Sequence, residues 1–255
     1  MTDEVTAPPP DLTKPHDIPP GAQAMLGRLI QKDPRNAQYP LPKRALPKTV
    51  RKKMWNALPP LDQGNTSQCV AYTGYQWLRT GPITNLRAPK LTHGEEMAWV
   101  PPFEPSELYV WAQQADEWPG ENYDGTSGLG LMKALKERGY ITEYRWALDV
   151  DTIFAWLLTS GPVCMGTYWY RDMFTPTKDG WIQPMGPEEG GHEYLLIGAD
   201  LDKKCPYDGS VGAVRMLNSW GDTWGQKGRA WISKANLDYL LKHDGDCCTA
   251  TEVKK

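Results

Sequence analysis

The chain has 255 residues, 40% of them hydrophobic, with a formal net charge of −3, enough apolar content for one large domain or two small lobes. That charge offers little to nucleic acid or an anionic membrane, and no apolar run approaches the ~20 residues of a membrane span. Twelve Trp and twelve Tyr against three Phe favour rings that carry a polar atom.

The opening MTDEVTAPPPDLTKPHDIPP has neither a basic nor an apolar stretch of the kind a secretory signal needs. Residues 1–57 are rich in proline, which fixes φ and removes a backbone donor, so an extended N-terminal arm is expected. Within it only GAQAMLGRLIQKD (21–33) has the pattern of a short helix. From Arg28 to Lys53 nearly every charge is basic. The arm is therefore either a solvated strip laid over the body or a dock for an acidic partner or larger assembly.

The body, 58–255, opens with a helix from about Cys69 to Thr80, with Ser67 as a possible cap. PSELYVWAQQADEW (105–118) places Leu108, Trp111 and Ala115 on one helical face. SGLGLMKALKERG (127–139) has Ser127 for a cap and Gly139 for a stop, and DVDTIFAWLLTSG (149–161) repeats that pattern. The period then changes: 162–170, 193–199, 212–217 and 229–233 are strand-like runs between Gly, Asp and Pro turns. Helices first and strands later predict an α+β protein, with a helical lobe over about 58–148 and a β-rich lobe over about 149–250.

Cys69, Cys164, Cys205, Cys247 and Cys248 are odd in number and irregularly spaced, without a Cys-x-x-Cys pair, so neither a disulfide framework nor a metal is expected. No cofactor is implied. Free thiols suit a reducing, cytoplasmic or other intracellular compartment. Cys164 reads as core; Cys205, Cys247 and Cys248 read as peripheral.

Three stretches carry chemistry. DQGNTSQCV (62–70) puts a thiol at the seam between a polar turn and an apolar helix. GGHEYLLIGAD (190–200) puts His192 at the mouth of an apolar strand. RMLNSWGDTWGQKGRAWIS (215–233) ends a strand in Asn218-Ser219-Trp220-Gly221. His16, His93 and His243 have no such company and read as surface residues.

These motifs, in this order, resemble the papain-like cysteine peptidases over roughly 55–240. The matching residues are Asp62-Gln63-Gly64 with Cys69, Gly191-His192, and Asn218-Ser219-Trp220-Gly221 followed by Trp224-Gly225 and Gly228. His192 falls slightly short of the family spacing of roughly 130–150 residues beyond the nucleophile, and Asn218 lies within it. The resemblance implies a two-lobe fold with a helical left lobe and an antiparallel β-rich right lobe. Cys69 is then the nucleophile at a helix N-terminus, where unpaired N–H groups favour a thiolate, and His192 faces it as the imidazolium. Asn218 orients His192, Trp220 covers that bond, and Gln63 with the Cys69 backbone forms the oxyanion hole. Gly125 lets a substrate backbone approach, beside Gly191. The implied reaction is acyl transfer from a peptide or protein substrate, without nucleic acid, membrane or metal.

Departures from the family centre on the cleft. Ser67 stands where a glycine lets substrate approach, and Val70 replaces an indole. Glu193 replaces a small residue near the pocket for the second side chain before the cut; it either favours a basic side chain there or partly plugs the pocket. The long helical propeptide of secreted relatives has no counterpart, and the basic arm is expected to wrap the right lobe or cover the cleft. A bacterial or phage setting, in the latter case virion-associated, fits these features. Two other functions stay open: a weak or inactive fold with a binding or structural role, and a cell-wall amidase or transpeptidase using the same residues.

Overall fold

The computed structural model describes residues 20–30, 34–80, 90–93, 96–99, 101–116 and 123–253. Its elements in chain order are β1 (Lys52–Met54), α1 (Cys69–Arg79), β2 (Lys90–His93), β3 (Glu96–Trp99), α2 (Pro105–Ala115), α3 (Gly128–Glu137), β4 (Ile141–Trp146), α4 (Val150–Thr159), β5 (Val163–Tyr170), β6 (Glu188–Lys204), β7 (Val211–Leu217), β8 (Arg229–Ser233), α5 (Lys234–Lys242) and β9 (Asp246–Val253). The main sheet is antiparallel in the order β4-β9-β5-β6-β7-β8, with β1 added along the later part of β6. The fold is α+β and papain-like.

Period-two alternation divides the core between the two faces of this sheet. Val163, Met165, Tyr194, Leu196 and Met216 face one way, into a cluster closed by Phe154 and Leu157 of α4 and Leu237 of α5. Cys164, Leu195, Ile197 and Leu217 face the other way, against Val70 and Leu78 of α1, Leu108 of α2 and Leu131 of α3. The same alternation sends Cys247 to the first cluster and Cys248 to the second. All five thiols are free and buried, so the expectation that Cys205, Cys247 and Cys248 are peripheral is corrected. β9 had not been anticipated, and it carries the last two inward.

Helix starts follow the capping rules. Ser127 Oγ accepts from Gly130 N at 3.0 Å, and Asp149 Oδ1 accepts from Thr152 N at 2.7 Å. The expected Ser67 cap is absent: Gln68 occupies the cap position of α1 and makes no side-chain cap bond. Within 21–33 the described residues form only a four-residue 3₁₀ turn, Ala22–Met25, followed by extended chain. The arm's cations meet anions of the same chain: Lys43 with Asp149, Arg51 with Asp202, Lys52 with Asp200. His243 is exposed, His16 lies outside the described residues, and His93 sits in β2.

Candidate active site

Cys69 is the first residue of α1, and the backbone N–H groups of Glu193, Gly27 and Val70 face its sulfur and favour its ionised form. His192 lies on β6, opposite Thr167 of β5. Its Nε2 donates to Asn218 Oδ1 at 2.8 Å, and the Ser219 N–H donates to the same oxygen at 2.8 Å. That second bond fixes which end of the amide is oxygen, so Nε2 carries the ring proton and Nδ1 remains a base. Nδ1 is buried without a hydrogen-bond partner among the described residues.

Trp220 leans over the imidazole with ring centroids 4.6 Å apart, and Trp169 meets it edge-on at 4.7 Å. Trp169, a fully buried β5 residue, had not been singled out from sequence, where it read only as one more strand aromatic. Gln63 joins the same cluster. Its N–H donates to the Ser219 carbonyl at 2.9 Å, and its side-chain oxygen accepts from Ser219 Oγ at 2.6 Å. Its Nε2 is thereby turned outward and donates to the carbonyls of Thr66 and of Met25, the latter at 3.0 Å.

Met25 belongs to the arm, which lies through the site. Arg28 N donates to the Gly191 carbonyl at 3.0 Å, Thr126 N donates to the Gly27 carbonyl at 2.9 Å, and Leu29 N donates to the Thr126 carbonyl at 2.8 Å. The approach is so close that side chains are excluded. A Cβ on Gly27 would stand 2.1 Å from the Ser67 carbonyl oxygen, one on Gly125 2.3 Å from the Gly27 oxygen, and one on Gly191 2.1 Å from the Arg28 oxygen. Gly125 and Gly191 thus line a path for an extended backbone, and Ser67 forms its floor. The occupant is the extended stretch that follows the 3₁₀ turn, Gly27 to Leu29.

Burial under this segment governs the electrostatics. Cys69 and His192 are both wholly buried. Desolvation pushes the thiol up to about 12, and it pushes the imidazole down to about 4 against the opposing Asn218 bond. The expected thiolate–imidazolium pair is therefore disfavoured while the segment is seated, and both groups rest neutral. Glu193, wholly buried beside the sulfur, is raised by burial and then by Asp246, against the pull of Arg28. Among the described residues no group of His, Cys, Asp and Glu is gathered to hold a metal ion.

The fold agrees with comparisons to known proteins. The sequence profile of the papain family cysteine protease matches residues 118–253, more than half of the chain. The chain belongs to the papain family of cysteine proteases. It is 34% identical over 106 residues to cathepsin B-like cysteine proteinase 3 of Ostertagia ostertagi, covering 40% of this chain and 57% of that protein. It is 30% identical over 102 residues to cathepsin B-like cysteine proteinase 5 of Caenorhabditis elegans, covering 40% and 28%. The matches thus span little more than half of one relative and little more than a quarter of the other. In structure it is similar to xylellain, a cysteine protease from Xylella fastidiosa, at TM-score 0.66 and 19% identity over 90% of this chain and 96% of that one. It is also similar to proCathepsin B S9 from Trypanosoma congolense, at TM-score 0.65 and 15% identity over 92% and 88%. The profile spans His192 and Asn218; Cys69 and Gln63 lie before it.

Proposed function

We propose that this chain is a thiol hydrolase of peptide or amide bonds, with Cys69 as nucleophile and His192 as its base, held latent by its own residues 22–29. One observation carries the reading: a buried imidazole whose Nε2 is committed to Asn218 keeps an unpartnered Nδ1, and it stands one residue before Glu193, whose backbone N–H faces the Cys69 thiol at the start of α1. Once the segment leaves, water and substrate reach both groups, and the desolvation that keeps them neutral falls away. Transfer of the thiol proton to His192 then gives a thiolate that attacks the substrate carbonyl. The developing oxyanion meets the Gln63 amide and the Cys69 N–H. His192 returns its proton to the leaving amine, and water hydrolyses the thioester.

Gly27→Val tests this without touching the reacting groups, because its side chain cannot fit against Ser67. Iodoacetamide near pH 6 should then alkylate Cys69 far faster than the other four thiols and faster than in the unaltered chain. Peptide hydrolysis should appear, and Cys69→Ala should abolish it. An inactive, partner-binding scaffold is the competing reading, favoured by the neutral, wholly buried Cys69 and His192. Slow and equal labelling of all five thiols in Gly27→Val would establish it.

A further inference from the structure

Arg215 of β7 and Arg229 of β8 are both half-buried. Arg215 pairs with Trp231 across the two strands and Arg229 pairs with Leu217, so both side chains and the Trp231 indole share one face of the sheet. The Arg215 guanidinium lies 4.9 Å from the centre of that indole. Its Nη1 donates to Gln226 Oε1 at 2.8 Å, and its other nitrogens make no hydrogen bond among the described residues. Arg229 is tied back to the chain, donating to the carbonyls of Lys227 at 2.8 Å, Leu58 at 3.2 Å and Ala57 at 3.3 Å.

Elsewhere Arg28 meets Asp246, Arg145 meets Glu143 and Arg171 meets Glu189. Arg215 and Arg229 meet no carboxylate among the described residues. Burial and then the charge of Arg229 pull Arg215 down to about 10, and burial lowers Arg229 as well. Two like charges are thus held near each other, partly stripped of water, without an acidic side chain to offset them. Such a pair favours an incoming anion.

The space in front of them is a cavity of about 470 Å³, with Met54, Trp55, Ile197 and Trp231 as apolar walls. A small inorganic ion fills little of that volume and leaves the walls unused. A glutamate side chain suits it better, because its carboxylate matches the planar fork of Arg215 while its methylenes lie against the apolar walls. The basic strip of the arm was the expected dock for an acidic partner, but Arg51 and Lys52 there are paired with Asp202 and Asp200.

We propose that the pocket of Arg215 and Arg229 binds a glutamate-bearing acidic segment of a partner protein. It uses none of Cys69, His192, Asn218 or Gln63, so it stands whether or not the chain is a hydrolase.

A dye-labelled peptide of alternating Glu and Leu, and its counterpart with Gln for Glu, are titrated onto the full chain by fluorescence anisotropy. The titrations are made at about 0.15 M salt, where attraction between distant exposed charges is screened. The Glu peptide should bind at least roughly tenfold tighter than its counterpart, and Arg215→Gln should erase that preference. Arg51→Gln removes an exposed cation outside the pocket and should leave the preference intact. Equal binding of the two peptides overturns the proposal. Equal losses in the two variants also overturn it, since they mean diffuse attraction to a basic surface. Should Arg215→Gln fail to fold by circular dichroism, Arg215→Lys takes its place; it keeps the charge without the fork, and the preference should fall several-fold. Calorimetry with inorganic phosphate completes the test. Phosphate binding that needs Arg215, without selective binding of the Glu peptide, overturns the acidic segment as the occupant.

Discussion

Asn218 Oδ1 accepts from both His192 Nε2 and the Ser219 N–H, so one side chain sets the tautomer of His192. Ser219 does comparable work for Gln63: its hydroxyl holds the amide oxygen and leaves Nε2 facing the cleft. The two serve different ends, and kinetics of an opened enzyme such as Gly27→Val separate them. Gln63→Ala should lower kcat by roughly a hundredfold, the ordinary loss for one oxyanion donor, with little change in KM. Ser219→Ala removes only the orientation of that donor and should cost roughly tenfold or less. If both substitutions leave kcat unchanged, Gln63 is not an oxyanion donor. The residue types at 63, 69, 192 and 218 were legible because each stands in a recognisable local motif. Asp246 was not, since it belongs to an unremarkable DGDCC turn and meets Glu193 only through the sheet, where Gly166 of β5 pairs with both of them.

Among the elements, α3 and α4 were legible almost to the residue because their caps are side-chain chemistry written locally. The caps differ in what they hold. Asp149 serves α4 and pairs with the exposed Lys43, so Asp149→Ala should cost about 1 kcal/mol, nearly all of it from the cap. Ser127 caps α3 and also donates to Asp116 Oδ1 at 2.7 Å. Its loss leaves a partly buried carboxylate short of a donor, and Ser127→Ala should cost about 2 kcal/mol or more. Urea midpoints check the order; Asp149→Ala as the more damaging change would refute it. The strands were read less well. β6 runs from Glu188 to Lys204, yet only its apolar middle reads as strand, because Gly190-Gly191 and Asp200 to Lys204 are turn-like by composition. β4 and β9 escaped notice, since ITEYRW and DCCTATEV interleave charge with modest hydrophobicity and are defined by pairing with each other. In the arm, a short helix was expected over 21–33, a stretch that includes Met25 and Leu26. Those residues instead pack on the core cluster beneath the sheet, and contact with the cleft overrides the weak local propensity.

For the molecule as a whole, the buried site makes stability a contest between two groups that titrate in opposite senses. His192 is depressed from 6.5 to about 4. The unfolded chain therefore takes up a proton below pH 6.5 that the folded chain refuses, and stability present above 6.5 is lost as pH falls toward 4. Glu193 is raised well above 4.5. The folded chain keeps a proton that the unfolded chain releases, so its contribution is full below 4.5 and is lost as pH rises through the raised value. Above pH 4.5 and below 6.5 the two contributions run in opposite senses and offset one another. Asp116, also raised by burial, acts in the sense of Glu193 and is common to all variants, so differences between variants isolate the pair. Cys69 releases its proton only far above this range. Denaturant titrations across the window should give the unaltered chain a profile lying between those of the two single variants. Relative to the parent, His192→Gln should gain stability on acidification by up to about 1.4 kcal/mol per pH unit, and Glu193→Gln should lose it. Parallel profiles for all three chains would mean that water already reaches these groups in the folded protein. The seated segment would then not be what keeps Cys69 and His192 neutral, and latency would need a different cause.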